Sequence, residues 1–317
     1  MYNDMASQSG CCLPIIYQPF DGSKKLHWKD RGSAFDFVFS TNGEGRRLLD
    51  FGPGDGWPSL IVAPLAEMVF GVDGSARRVQ VCAENARRLG IANADFMYVE
   101  PGKPLPFKDG SFDGVMAASS VEQTPNPKAT LQEFYRILRP GGRLRMGYEN
   151  LSFYQSDRER EAELSKIDDA RCALTLYDRH IDTGRAVMYR IIFSLPYDKL
   201  KNFLSLSENV PIFDFITVQL LEKFKPVVSE ARLCSLTHAS GPIYIEWLKE
   251  AGFKEAMPTQ GGDWFAGQVY DQYSEKDRPL DINAVDYILR PLIKIIVDMP
   301  APFGGPGAWD PMITAVK

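Results

Sequence analysis

Short apolar runs alternate along the first half of the chain with longer stretches in which apolar positions recur at helical spacing. Alternating strands and amphipathic helices predict a mostly parallel sheet packed between helices. Residues 26–39 carry Phe35, Phe37, Val38 and Phe39 at roughly helical spacing and predict a helix leading into a first strand, 48–51. A helix over 59–68 follows, kinked or ended by Pro64, which lacks an N–H. Next come a strand over 69–73, a helix over 76–89 with Ser75 available as its cap, and a strand over 94–99. A fourth strand runs through Ala118, and a helix spans 129–138. Arg139-Pro140-Gly141-Gly142-Arg143 then turns the chain into a fifth strand, 144–148.

The second half is less regular. Residues 157–169 are charged and suggest a helical piece, while 173–181 and 185–195 alternate around Asp182-Thr183-Gly184 as a hairpin would. Short helices are expected over 197–206 and 212–224. A helix over 242–251, capped by Ser240 and stopped by Gly252, leads into a strand from Phe253, and 311–317 supplies the last strand. The domain expectation is a lid and leading helix in 1–45, a sheet core in 46–150, an insert in 151–240, and the end of the core in 241–317. That last part holds a second insertion near 270–308. The most apolar stretch, 287–299, is broken by Arg290, Pro291, Lys294 and Asp298. No run reaches the roughly 18 apolar residues that suggest a membrane span. Residues 1–14 lack a basic start followed by an apolar core, so no secretory leader is read. The expected location is cytoplasmic, with no membrane partner.

The candidate chemistry lies at the end of the first strand, where Asp50-Phe51-Gly52-Pro53-Gly54-Asp55-Gly56-Trp57-Pro58 joins strand, glycine turn and helix start. Such a junction lets a nucleotide-like ligand lie against bare backbone. A dinucleotide fingerprint would be G-x-G-x-x-G; here the third glycine comes one residue early and Trp57 fills its slot. A tight βα turn is the plainer alternative. Asp73 follows at the tip of the second strand, where a carboxylate can accept two hydrogen bonds from a ribose diol. It can instead serve as a helix cap. Ser119-Ser120-Val121-Glu122-Gln123 sits at the carboxyl end of the fourth strand, the edge at which open α/β sheets bind ligands.

Four motifs occur in order: D-x-G-x-G-x-G from Asp50, L-P-F-x-D-G-S-F-D-G-V from Leu105, S-S-V-E-Q-x-P-x-P from Ser119, and L-x-E-F-Y-R-I-L-R-P-G-G-R-L from Leu131. Together they resemble the ubiquinone-biosynthesis-like branch of the class I S-adenosylmethionine (SAM)-dependent methyltransferases over residues 46–150. The resemblance implies an α/β fold, a Rossmann-like doubly wound seven-stranded mostly parallel sheet with an α+β cap inserted after the fifth strand. It implies SAM as cofactor and S-adenosylhomocysteine as its product. By it, Asp50 lies beneath the loop near the amino-acid end of the ligand, and Gly52, Pro53, Gly54 and Gly56 pass beside the ribose. Asp73, with Gly74, meets the ribose diol. Glu100 falls near the acid that meets the adenine amino group, although the loop is one residue longer here and Glu replaces the commoner Asp. Ser119 and Ser120 form the floor under the methionine part.

Charge and cysteine content narrow the acceptor. The formal net charge is −5; residues 1–150 hold 17 basic and 17 acidic side chains, and the remainder 19 and 24. A chain without a basic excess is a poor binder of nucleic acid, which leaves a small-molecule methyl acceptor as the expected partner. A protein or RNA acceptor, or a non-catalytic SAM-binding scaffold, is the alternative. Cys11, Cys12, Cys82, Cys172 and Cys234 are odd in number and lack metal spacing, consistent with reduced thiols. Ser119-Ser120 and Glu149-Asn150 supply at most half of a divalent-metal site, so no metal is expected. A general base is needed only if the acceptor must lose a proton; the candidates are Glu122, Tyr177, His180, His27 and His238. His180 leads because Tyr177-Asp178-Arg179-His180 lies in the insert. The insert itself is expected to close over the carboxyl edge of the sheet and choose the acceptor, or else to act as the arm of a homodimer. His27-Trp28-Lys29 is either a cover over the ligand or part of a helix that packs Trp28 on the core.

Overall fold

The computed structural model describes residues 20–148, 160–180, 185–204, 217–237, 239–301 and 312–317. The chain divides into two compact units, Met1–Glu149 with Gly241–Lys317, and Asn150–Ser240.

The first unit opens with α1 (Lys25–Ser40) and then β1 (Arg47–Phe51). The predicted helix over 59–68 is shorter than expected. α2 (Ser59–Val62) gives way to a 3-10 turn, Ala63–Leu65, and Met68 already belongs to β2 (Met68–Asp73). Pro64 accounts for this, since it removes a donor and crowds the preceding turn. α3 (Ala76–Leu89) starts where Ser75 accepts a hydrogen bond from the Arg78 amide and stops at left-handed Gly90. β3 (Ala94–Tyr98) and β4 (Phe112–Ala118) follow. α4 (Pro127–Ile137) is capped by Asn126, which accepts from the Ala129 amide. β5 (Leu138–Gly147) begins before the expected turn: the Arg139–Arg143 stretch is a bulge within the strand, where the β4–β5 register shifts between Phe112 and Gly114.

The second unit holds β6 (Arg160–Lys166), β7 (Cys172–His180), β8 (Arg185–Phe193), α5 (Tyr197–Phe203), α6 (Val218–Phe224) and β9 (Val228–Thr237). The strands form an antiparallel sheet in the order β6-β7-β8-β9. The hairpin is present as β7–β8, while its turn Asp182-Thr183-Gly184 lies outside the described residues. The charged stretch expected to be helical is β6 from Arg160 on; 157–159 lie outside the described residues. Ala162 and Leu164 are buried with exposed Glu163 between them, a period of two that flanking charges obscured. Their burial against Cys172, Leu174, Phe193, Leu200 and Phe224 makes the unit's own core. β9 was not anticipated, and of the two expected helices the part over 205–216 is outside the described residues.

Returning to the first unit, α7 (Gly241–Ala251) leads to β10 (Glu255–Thr259), α8 (Gly262–Gln272), α9 (Ile282–Ile296) and β11 (Met312–Val316). The sheet order is β10-β11-β5-β4-β1-β2-β3, with β11 antiparallel to both neighbours and β1 to β5 parallel wherever they pair. This is the expected Rossmann-like, doubly wound, mostly parallel seven-stranded sheet, with an α+β unit inserted after its fifth strand. Chain direction across the sheet reverses between β1 and β4, which opens a crevice at their carboxyl ends.

α8 and α9 were not foreseen, and they fix α1. Gly32 of α1 lies against Gly262 of α8 so closely that a Cβ on Gly32 would stand 2.4 Å from the Gly262 carbonyl oxygen. Trp28 is fully buried, packed on Tyr270 and Tyr273, and its Nε1 donates to the Gly22 carbonyl at 2.8 Å. Trp28 is therefore core and not a cover over a ligand. Among the described residues no helix is long and apolar enough to cross a membrane.

One buried ion pair joins these parts. Arg145 of β5 and Asp36 of α1 are both excluded from solvent; Nε donates to Oδ1 at 2.6 Å and a terminal nitrogen to Oδ2 at 2.7 Å. Arg145 also donates to the Gln260 carbonyl at 2.7 Å, to Thr314 Oγ1 at 2.9 Å, and to Thr259 Oγ1. Asp36 receives the Gly262 amide and, at 3.0 Å, the Ser40 hydroxyl. Asp36→Ala should cost about 3–5 kcal/mol, because it leaves a buried guanidinium without its counter-charge. Urea denaturation should show a large fall in midpoint, and the paired change Asp36→Leu with Arg145→Met should recover part of it.

Candidate active site

Three glycines with positive φ (Gly52 at 76°, Gly54 at 59° and Gly56 at 112°) carry the chain from β1 to α2. Asp50 sets this turn from below. It is fully buried, and its Oδ2 accepts from the Ser59 amide at 2.9 Å and the Ser59 hydroxyl at 2.5 Å, tying the end of β1 to the first residue of α2. Burial pushes the Asp50 carboxyl up to about 7, against the opposing effect of the Ser59 bonds. The neighbouring helix holds the loop's other side. Cys82 Sγ donates to the Gly54 carbonyl at 3.2 Å, Asn85 Nδ2 donates to the Asp55 carbonyl at 2.9 Å, and Arg78 pairs with the Asp55 carboxylate.

Asp73 closes the arrangement from the tip of β2. Its Oδ1 accepts the Ser75 amide at 2.8 Å and its Oδ2 the Gly54 amide at 3.4 Å. Burial raises its pKa, while those two amides and Arg78 work to lower it. Capping of α3 falls to Ser75, so Asp73 keeps lone pairs for a ligand. On the other side of the loop, Ser120 Oγ donates to the Phe51 carbonyl at 2.5 Å, and a Cβ on Gly52 would stand 2.5 Å from Ser120 Cβ. Ser119 adopts a left-handed φ of 48°, held by its amide donating to the Gly147 carbonyl and its own carbonyl receiving Gln123 Nε2 at 2.7 Å. A non-glycine residue in that conformation stores strain, and such residues cluster at ligand sites.

These residues surround a cavity of about 500 Å³ along the carboxyl edge of the sheet. Gly52, Gly54, Asp73, Gly74, Glu100, Ser119 and Ser120 line it. Asp50, Pro53 and Gly56 do not: Asp50 is below the loop, Pro53 is buried close to Gly71, and Gly56 is buried where a Cβ would strike Leu60. Sequence reasoning placed Gln123 at this edge and passed over Lys103, Thr124, Asn126 and Thr130, which complete the polar wall with it. The S-S-V-E-Q-x-P-x-P block contained two of these four, but only the fold turns them toward the crevice. From the tip of β4 to that of β3 is three strand spacings, roughly 14 Å.

Of the catalytic candidates, the two in the first unit, Glu122 and His27, do not line this cavity. Glu122 is fully buried on the 3-10 turn Val121–Gln123 and does not line it. His27 is buried, and its Nδ1 accepts the Asp21 amide at 3.0 Å, a structural role. Tyr177 belongs to the second unit, where its hydroxyl donates to Glu163 at 3.1 Å. His180 ends β7, its side chain lying outside the described residues, as do His238, Glu149, Asn150, Cys11 and Cys12. Among the described residues no group of His, Cys, Asp and Glu is arranged to hold a metal ion.

Sheet order, the antiparallel last strand and the glycine loop beside an acidic strand tip define a class I SAM-dependent methyltransferase fold. Residues 49–146 match the family model described as a methyltransferase domain. Over 142 residues the chain is 31% identical to a 27-O-demethylrifamycin SV methyltransferase of Amycolatopsis mediterranei, covering 43% of this chain and 52% of that protein. It is 32% identical over 101 residues to the ubiquinone/menaquinone biosynthesis C-methyltransferase UbiE of Geotalea daltonii, 31% of this chain and 43% of that one. The chain thus spans about half the length of the curated relatives it matches. Among solved structures, the CcbJ methyltransferase of Streptomyces caelestis shares the fold at a TM-score of 0.50, with 13% identity and 98% of each chain covered. Residues 49–146 are by that match a methyltransferase domain, and the fold around them is that of the class I SAM-dependent methyltransferases, whose cofactor is SAM.

Gly54→Val tests the loop. Its φ of 59° disfavours a β-branched residue, and the added side chain would meet no protein atom within 4 Å; it would project into the space the ligand needs. Titration calorimetry should detect no SAM binding, while circular dichroism should show the fold largely kept.

Proposed function

We propose that the protein transfers the methyl group of SAM to oxygen, nitrogen or carbon of a small-molecule metabolite. The observation that carries this is Asp73, mostly buried at the tip of β2, lining the same cavity as the open face of Gly54. The cavity volume suits a ligand of nucleoside size. Asp73 would hold the ribose diol, the Gly52 and Gly54 backbone would pass beside the sugar, Glu100 would face the adenine end, and Ser119 and Ser120 would meet the methionine part. When bound, SAM supplies a methyl group already activated on a sulfonium. The chain's own task is then to align the acceptor and exclude water.

A small acceptor is supported by the names of the relatives, a rifamycin-type and a quinone-type methyltransferase, and by the balanced charge of the first half of the chain. The 151–240 insert leaves the core directly after the fifth strand. We assign it acceptor choice, with Tyr177 and His180 as its candidate contacts; a homodimer arm is the competing role. Buried, unpaired Cys82 and Cys172 suit a reducing, cytoplasmic setting. Transfer of label from methyl-labelled SAM into small-molecule, protein and RNA fractions tests the whole assignment. Label in the small-molecule fraction supports it, label in protein or RNA replaces the acceptor class, and bound SAM without transfer makes the protein a scaffold.

Asp73→Ala should weaken SAM binding by at least tenfold in calorimetry. It removes two charge-assisted hydrogen bonds, each worth about 0.5–3 kcal/mol. Unchanged affinity in a folded variant would reduce Asp73 to a brace for Ser75 and Gly54.

A further inference from the structure

A second cavity, of about 260 Å³, adjoins the first. It shares Ala118 and Ser119 with it and continues along the sheet edge past Gly147 of β5 and Met312 of β11. Sheet order dictates this sequence of sites: β3, β2, β1 and β4 tips border the first cavity, and β4, β5 and β11 border the second. They meet at Ser119, the residue assigned to the methionine end of the cofactor, which is where a methyl acceptor must stand. This inference therefore rests on the methyltransferase reading.

The outer wall is one face of α1, with Leu26, Lys29, Asp30, Ser33 and Phe37 at helical spacing. Across from it stand Trp57, edge-on to Phe37 at 5.7 Å between ring centroids, and Asp263 of α8. Lys29 and Asp263 lie 3.6 Å apart and offset each other. Asp30 is half-buried and has no hydrogen bond or ion pair to any described residue. Its carboxylate is left to take its donors from solvent or from a molecule in the cavity. α1 cannot turn it away, because Gly32 against Gly262 and Asp36 against Arg145 fix the rotation of the helix.

We propose that this cavity is the acceptor subsite and that it selects a small molecule with a hydroxyl or amino group on an apolar or aromatic body. The O–H or N–H donates to the Asp30 carboxylate, and the body lies against Trp57 and Phe37. Burial raises Asp30 to about 6, with Lys29 opposing and Asp263 adding to the shift. Those are the only other charged groups lining the cavity among the described residues. Donor binding should therefore weaken as pH falls through 6, when the carboxylate gains a proton.

The test uses the full chain, first titrated with S-adenosylhomocysteine and then, with it bound, probed by saturation-transfer NMR with phenol, benzylamine and toluene. Phenol and benzylamine should bind at least tenfold more tightly than toluene at pH 7.5 and lose most of that preference at pH 5. Asp30→Asn should abolish the preference and its pH dependence while changing S-adenosylhomocysteine affinity less than twofold. Ser33→Trp should exclude all three probes from the cavity. Absence of probe binding to the native chain, equal binding of toluene, or an unaltered preference in Asp30→Asn each overturns the subsite. Failure of S-adenosylhomocysteine to bind would instead overturn the methyltransferase reading.

Discussion

The Asp36–Arg145 pair is the constraint on which the first unit depends. Both charges are removed from water, a step that costs several kcal/mol per ion unless the geometry and remaining hydrogen bonds are satisfied. Here one guanidinium engages a carboxylate, two threonine hydroxyls and a backbone carbonyl, and the carboxylate in turn takes an amide and a hydroxyl. Its partners come from α1, β5, the end of β10, the start of α8 and β11. No apolar contact could set the rotation of α1 so narrowly, because dispersion is nearly indifferent to direction. That rotation decides which face of α1 looks onto the sheet edge.

A second constraint sits where the sheet changes direction. β1 and β4 are neighbours, yet their helices leave toward opposite faces, and a crevice opens between them at their carboxyl ends. The loop is held from outside the cavity by Asp50 from below and by Cys82 and Asn85 from α3. Asp73 and Ser120 bond the loop and line the cavity at once. Preorganisation of this sort places the cost of ordering the site in folding instead of in binding.

The two cavities lie in series along one edge, and different parts of the chain build them. The first is made almost wholly by residues 51–133, the stretch that the family motifs cover. The second draws on α1, α8 and β11, whose sequences carry no motif. A cofactor common to many enzymes is met by a recurrent loop, whereas the acceptor side can vary with the elements added around it.

The sequence by itself determined the sheet core and the cofactor edge. Strands of the core are short and apolar, the helix after β2 is capped by Ser75, and glycine spacing is local chemistry that needs no partner to be legible. It also placed Asp73, Gly54 and the paired serines at the right strand ends. Tertiary structure alone decided the rest. Whether 160–166 is helix or strand turned on β7 offering an open edge, since a charged segment with two alternating apolar residues supports either. Whether Trp28 covered a ligand or filled the core turned on α8, which local pattern did not reveal. Arg145 reads as a solvent-facing charge in a strand, and Asp30 as an ordinary helix-surface acid. Only the folding of β10, β11 and α8 around α1 buries the first and leaves the second unpaired beside a cavity, because burial is a property of what arrives from far along the chain.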